Sequence, residues 1–224
     1  MGYKEVTREL AELLGGLKVE AGNDANMAAL GEMWLGAGRG QKNMIMVTLG
    51  TGVGGGVIVN GKVLVGANGA SGEIGHLCVN YGETDSCGCG NKGCLEQYAS
   101  ATGIARLARI RLQKNEDETV LREQETLDAK AVFDAVKAGD KVAIEIAEEF
   151  GKYLGYAAAN IANVTNPKTI VIGGGVSKAG EILLSFIEKP FQERVFFANK
   201  NVEFVLATLG NDAGICGAAK LILS

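Results

Sequence analysis

The chain has few of the residues that stiffen or punctuate a backbone. It has 2 prolines, 1 histidine and 1 tryptophan, and aromatic residues make up only 6%. So little proline beside 47% hydrophobic residues excludes a disordered composition. Positive charge is scarce as well. The 22 Lys and Arg against 26 Asp and Glu leave a net charge of −4, which gives a nucleic-acid partner no electrostatic support. No apolar run reaches the length of a bilayer span, so no membrane partner is expected. The opening residues, Met1 to Val6, lack the apolar core of a signal peptide, and the cysteines are clustered rather than paired along the chain. Both features point to the reducing cytoplasm. The 224 residues are enough to bury a substantial core, as one large domain or one and a half.

Glycine is in excess, at 33 residues, about twice the usual share. The glycines gather in 50–56, 66–75, 88–93 and 173–175. Such clusters mark backbone that must approach something closely or adopt positive φ.

Periodicity organises the rest. Val6, Leu10, Leu13 and Leu14 form a helical stripe within residues 3–14, ended by Gly15-Gly16. Leu17 to Ala21 is a short strand candidate, and Asn23 or Asp24 then caps a helix to about Leu35. Met44 to Leu49 is a buried strand. Val57 to Val59 and Val63 to Val65 follow across Asn60-Gly61, a strong hairpin signal. Three antiparallel strands are therefore expected. Ser100 caps a helix to about Leu112, and the charged stretch 113–126 is expected to be an exposed, mobile connection. Asp128 caps a helix to about Lys137, and a longer one runs from Lys141 to Val164 until Pro167. Thr169 to Ile172 is a strand, 178–188 a helix, Val202 to Leu206 a strand, and Ala213 to Leu223 a closing helix. Strands followed by alternating helices and strands predict an α/β fold.

Chemistry concentrates after the hairpin. His76 lies eleven positions before Cys87, and Cys87, Cys89 and Cys94 follow with Gly88, Gly90 and Gly93 between them. One imidazole and three thiolates suit a tetrahedral Zn²⁺, and a closed set of four protein ligands is structural in type. The alternatives are a Cys87–Cys94 disulfide or three buried thiols. Glu73 precedes His76, and Glu96 follows Cys94. These carboxylates are either acceptors for sugar hydroxyls or solvated loop charges. Gly50, Thr51 and Gly52 open a glycine loop between strands, a tight turn or a cradle of N–H groups for phosphate. Gly173, Gly174 and Gly175 form a second loop at the end of a strand, where α/β sheets bind ligands. Two such loops in one chain favour nucleotide contact. Asp24 is either a helix cap or a carboxylate placed to accept a hydroxyl proton.

Gly75-His76, the run Cys87 to Glu96, the loop Leu49 to Gly56 and the pair Asn23-Asp24 resemble the ROK family of sugar kinases and repressors, its bacterial glucokinases in particular. The resemblance implies an actin-like, hexokinase-type ATPase fold, RNase H-like, with two lobes around a cleft. Residues 1–40 would be a remnant of the small lobe, 41–212 the large lobe, and 213–224 a helix returning toward the small lobe. It implies that Asp24 is the catalytic base, and that Asn23, Asp24, Glu73, His76 and Glu96 hold the sugar. Gly50, Thr51 and Gly52 would meet phosphate, and Gly173, Gly174 and Gly175 the adenosine side. His76, Cys87, Cys89 and Cys94 would hold zinc. The implied reaction is phosphorylation of a hexose, glucose first, by Mg²⁺–ATP in a homodimer. N-acetylmannosamine or fructose are alternative substrates, and a sugar-sensing regulator or an inactive zinc-stabilised relic are alternative roles. Family kinases begin with an Asp-x-Gly-Gly-Thr phosphate hairpin, for which this sequence has no counterpart, so the resemblance ties turnover to a segment expected to be missing before Met1.

Overall fold

The computed structural model describes residues 5–223. A mixed five-stranded sheet has the spatial order β3-β2-β1-β4-β5. Strands β1 (Met44–Leu49), β2 (Val53–Val59) and β3 (Lys62–Val63) form the expected antiparallel meander. Strands β4 (Thr169–Gly173) and β5 (Glu203–Leu206) extend it in parallel from β1. Alternation along β1 divides the core. Ile45, Val47 and Leu49 face one side, with Ile170, Ile172 and Phe204, under the helices α4 (Ala101–Lys114), α5 (Ala129–Lys137), α6 (Lys141–Thr165) and α7 (Ile182–Arg194). Met44 and Met46 face the other side with Ile58 and Val171, under Ala29 of α2 (Asp24–Leu35). Helix α8 (Ala213–Ile222) packs behind α2. The short α3 (Glu96–Ala99) joins the cysteine segment to α4.

The caps act as the side chains predict. Ser100 accepts from the Gly103 N–H and Asp128 from the Ala131 N–H. Asn23 is the cap of α2, accepting from the Ala25 and Asn26 N–H groups, and Asp24 is the first helical residue.

Several expectations need correction. The helix α1 (Val6–Leu13) buries none of its residues, and residues 3 and 4 of its expected span lie outside the described part. Leu17 to Ala21 is no strand, since no described segment pairs with it. β3 stops at Val63, leaving Leu64 and Val65 exposed. The stretch 113–126 is tied down rather than loose. Leu121 is buried within a single turn, Val120–Glu123, and Asp140 accepts from the Thr119 hydroxyl and the Val120 N–H. Arg122 binds the carbonyls of Leu112, Asn115 and Asp117. The helix expected at 178–188 begins at Ile182, because Gly180 at φ 88° separates it from the turn Gly175–Ala179.

The largest correction concerns residues 53–56, expected as loop and found as strand. Gly54, Gly55 and Gly56 pair with Thr48, Val47 and Met46. A Cβ on Gly56 would stand 2.5 Å from the Ala29 Cβ and 2.8 Å from the Ala25 carbonyl. One on Gly55 would stand 2.6 Å from the Gly72 carbonyl on the opposite face. These glycines serve close packing, not chain reversal. Gly56→Ala is therefore expected to cost about 1–3 kcal/mol. Gly214→Ala in α8, where a Cβ meets nothing within 4 Å, is the control and should be neutral or slightly stabilising. Thermal melts compare the two. Equal melting temperatures would show that α2 can retreat from β2 at little cost.

Candidate functional site

The candidate residues come together around the start of β2. The Val53 N–H donates to Glu96 Oε2 at 3.1 Å. Gly75 lies on the Val53 carbonyl, 2.2 Å from where its Cβ would be, which places Glu73 and His76 on either side of that contact. Ala25 lies beside Gly54, 3.2 Å from the position of a Cβ there, so Asn23 and Asp24 at the head of α2 flank the same strand. Asn23, Asp24, Glu73 and His76 are exposed, and Glu96 is half-buried. Helix α2 sets Asp24 on rigid structure. Its Oδ1 accepts from the Ala25 N–H at 2.8 Å, while Asn23 does the capping. Glu96 is no solvated loop charge. Its Oε2 would lie 2.3 Å from a Cβ on Gly52, so that glycine makes room for the carboxylate against the turn.

Gly50, Thr51 and Gly52 form the three-residue turn between Leu49 and Val53. Its carbonyls are all used on the protein side. Gly50 O accepts from the Ala101 N–H, Thr51 O from the Thr102 hydroxyl, and Gly52 O from the Gly50 N–H. The N–H groups of Thr51 and Gly52 have no partner among the described residues. A turn with its carbonyls engaged and its N–H groups free is suited to an anion. The second glycine loop is adjacent, because β1 and β4 are parallel neighbours with Thr48 opposite Gly173. Gly174, at φ 87°, rests on Leu49, where any Cβ would meet its carbonyl at 2.5 Å. Gly173 is buried, and Gly174 and Gly175 are exposed. Beside Gly175 opens a cavity of about 320 Å³ walled by Ala101, Lys130, Phe133, Val176 and Lys178.

The cysteines are all free, which removes the Cys87–Cys94 disulfide. His76, Cys87, Cys89 and Cys94 each offer a ligand atom, all within 4.8 Å of one another. The Cys89 and Cys94 sulfurs are 3.6 Å apart. A tetrahedral zinc with bonds of ~2.3 Å to sulfur sets sulfurs roughly 3.8 Å apart, so the set fits such an ion. Burial pushes the Cys94 thiol up to about 12, reinforced by the Cys89 and Cys87 sulfurs. A hydrogen bond from the Asn91 backbone draws Cys89 below the ordinary thiol value. Three thiolates so close are jointly stable only around a cation. Gly93 at φ 73° closes the loop, with no space for a Cβ 2.0 Å from the Asn80 carbonyl.

Two features escaped sequence reading. The first is Glu32, with no solvent exposure. Its carboxylate accepts from the N–H groups of Ala37, Thr208 and Leu209 at 2.7, 3.1 and 2.8 Å. It thus pins α2 to the chain leaving β5. The signal was available, since Ala25, Ala29 and Glu32 share one helical face. The second is a clamp behind the cysteine loop. Glu83 accepts from Tyr98 and Arg106, and Arg106 also reaches Asp85 at 2.8 Å. Tyr98 stacks on Tyr153 at 4.0 Å, tying the loop to α6. Burial alone would raise the Glu83 carboxyl. Hydrogen bonds from Tyr98, the Asp85 backbone and Arg106, with the Arg106 charge, outweigh it and lower the carboxyl from 4.5 to about 2.

An α/β sheet with two glycine loops at adjacent strand ends and carboxylates beside them defines a candidate site for a phosphorylated ligand next to a polyol. The comparisons agree. Residues 4–224 match the sequence model of the ROK family, and the chain belongs to that family. It is 49% identical over 210 residues to a glucokinase of Halalkalibacterium halodurans, covering 92% of this chain and 64% of that protein. It is 42% identical to a glucokinase of Thermotoga maritima, covering 97% of this chain and 69% of that one. The crystal structure of a ROK family glucokinase from Streptomyces griseus in complex with glucose and AMPPNP superposes with a TM-score of 0.83 at 35% identity, covering 96% of this chain and 71% of that one. The hexokinase-type fold expected from the sequence is therefore the fold observed. The chain spans less than two thirds of the first of these relatives.

Two outcomes test the supports of the site. Glu32→Ala removes the acceptor of three part-buried N–H groups and is expected to cost roughly 1–3 kcal/mol in denaturant unfolding. A loss under 1 kcal/mol would show that water replaces the carboxylate. For Glu83, a carboxyl held below its unfolded value stabilises the fold above that value and ceases to do so as pH falls through the native one. The stability advantage of the wild-type chain over Glu83→Gln is therefore complete above pH 4.5 and disappears between 4.5 and about 2. Chemical denaturation at each pH measures it, and an advantage that stays flat over the window would remove Glu83 from the clamp.

Proposed function

We propose that this chain binds a hexose, glucose first, and transfers to it the γ-phosphoryl group of ATP. The observation that carries the reading is the meeting at Val53: Glu96 on its N–H, Gly75 on its carbonyl, Ala25 beside the next residue, and the free N–H groups of Thr51 and Gly52 just before it. Similarity to glucokinases supports the substrate.

In this reading Asn23, Glu73, His76 and Glu96 hold sugar hydroxyls, and Asp24 takes the proton of the hydroxyl that attacks. Such a base contributes roughly 10²- to 10⁴-fold in rate. Gly50, Thr51 and Gly52 receive phosphate oxygens. Gly173, Gly174 and Gly175 border the nucleotide, whose base end fits the cavity beside Phe133. Mg²⁺ supplied with ATP neutralises the transferring phosphate. His76, Cys87, Cys89 and Cys94 hold Zn²⁺, which fixes the loop carrying Glu96 and keeps the imidazole of His76 oriented. Residues 1–40 are the small-lobe part, 41–212 the large lobe and 213–224 the returning helix. The buried-face packing of α2 and α8 supports a junction there. The protein acts as a cytoplasmic homodimer.

Calorimetry with glucose and a coupled assay with Mg²⁺–ATP test the proposal together. Glucose binding is expected, and Asp24→Asn should reduce turnover about 10²- to 10⁴-fold while changing glucose affinity far less. Binding without turnover in the wild-type chain would leave a sugar sensor. Neither heat nor turnover would end the sugar reading.

A further inference from the structure

Cys78 has no role in the site described so far. It lies directly across a short antiparallel ribbon from Cys94. The Val79 N–H donates to Gly93 O at 2.7 Å and the Leu95 N–H to Leu77 O at 2.8 Å. These bonds flank the two cysteines, which makes them a non-hydrogen-bonded pair. In such pairs the Cα atoms are roughly 4.5 Å apart and the side chains share one side of the ribbon. Disulfides join Cα atoms about 4.4–6.8 Å apart, so the register permits one here. Cys78 is exposed and Cys94 buried. The Cys78 sulfur rests over Gly93, 3.3 Å from where a Cβ would be, so no side chain stands in its way. Closing the disulfide would require the Cys78 side chain to turn from Gly93 toward Cys94, with the strand register unchanged.

We propose that Cys78 and Cys94 are a disulfide modification site whose oxidant is a peroxide and whose closure competes with the metal. This rests on the reading that His76, Cys87, Cys89 and Cys94 hold zinc. Cys78 and Cys89 are both exposed, but in the zinc reading Cys89 is held by the metal, which leaves Cys78 as the exposed thiol outside the ligand set that peroxide reaches first. The O–O bond breaks, one oxygen bonds to Cys78 as a sulfenic acid, and the other leaves as water. The Cys94 sulfur then attacks Cys78. The S–S bond forms, the S–O bond breaks, and that oxygen leaves as water with a proton from Cys94 or, when Cys94 begins as a metal-bound thiolate, from solvent. Two cysteines and one peroxide thus give one disulfide and two waters, and the ion loses one of its four ligands. A disulfide of this kind, in a reducing compartment, is transient and redox-sensing.

The experiment treats the purified chain with a small excess of hydrogen peroxide. Zinc release is followed with a chromogenic chelator, and disulfides are mapped by mass spectrometry without reduction. A Cys78–Cys94 disulfide should appear with the loss of one zinc per chain, and a thiol reductant with added zinc should reverse both. Cys78→Ser should keep its zinc at rest and release it at least tenfold more slowly under peroxide. A mapped Cys89–Cys94 or Cys87–Cys94 disulfide in its place, or release from Cys78→Ser at the wild-type rate, overturns the proposal. Zinc content before treatment tests the metal reading separately. A chain without zinc that still forms Cys78–Cys94 supports the disulfide site and rejects the metal.

Discussion

The site depends on a strand that carries no side chains where the other segments must approach. Side chains alternate between faces along a strand, so Gly54 and Gly56 turn toward α2 and Gly55 toward the loop at 72–74. An alanine at any of the three would stand within 2.6 Å of a neighbouring atom, whether the Thr48 hydroxyl, the Gly72 carbonyl or the Ala29 methyl. Because the strand is bare on both faces, α2 lies on one side and the Glu73–His76 turn on the other, both at van der Waals contact. That sets the first turn of α2, which begins with Asp24, and the turn that ends in His76 on opposite faces of one strand. Interiors pack at close to crystalline density, so this spacing has little give.

The two glycine loops follow from the same sheet. β1 and β4 run parallel and in register, so they end together and their loops lie side by side. One loop reverses into β2, and the other rests on Leu49 before leading to α7. Their adjacency results from sheet order and was not visible in a sequence where 120 residues lie between Gly52 and Gly173. The N-terminus of α4 then fixes the first turn from behind, through the Gly50 and Thr51 carbonyls. Orientation of the free N–H groups is a consequence of where the carbonyls are held.

What sequence made legible were local signals with a single physical cause. Ser100, Asp128 and Asn23 cap because short side-chain acceptors reach the N–H groups two or three residues on. Asn60-Gly61 turns the hairpin because both residues accept positive φ. The cluster of His76, Cys87, Cys89 and Cys94, a candidate for holding a metal, was legible because its four members lie within one short stretch. Long-range causes were not. Gly54 to Gly56 looked like loop because glycine is depleted in strands, and only the helix pressed against them explains their presence. Glu32 meets its partners some 176 residues away. Residues 113–126 looked loose because charge was taken for solvation, whereas Arg122 spends its guanidinium on three carbonyls. Leu17 to Ala21 has strand composition without a strand to pair with.

Glu32 and the α2–α8 contact give the site its mechanical continuity. The Gly31 and Gly217 backbones touch the opposite helix so closely that a Cβ would stand 2.1 Å from the Ala213 carbonyl or 1.7 Å from that of Met27. Two helices joined at that distance move as one body. Glu32 then fastens the pair to Thr208 and Leu209, beyond the end of β5. Ala207, the residue before them, faces Gly173 at the edge of the second glycine loop. A displacement of Asp24 at the head of α2 is therefore passed to the strand ends through a buried carboxylate rather than through solvent. Burying a carboxylate is costly, and the three N–H donors on Glu32 offset that cost only while all three stay in place. The arrangement penalises independent motion of the proposed base and the proposed nucleotide loop, which is what a reaction that depends on positioning requires.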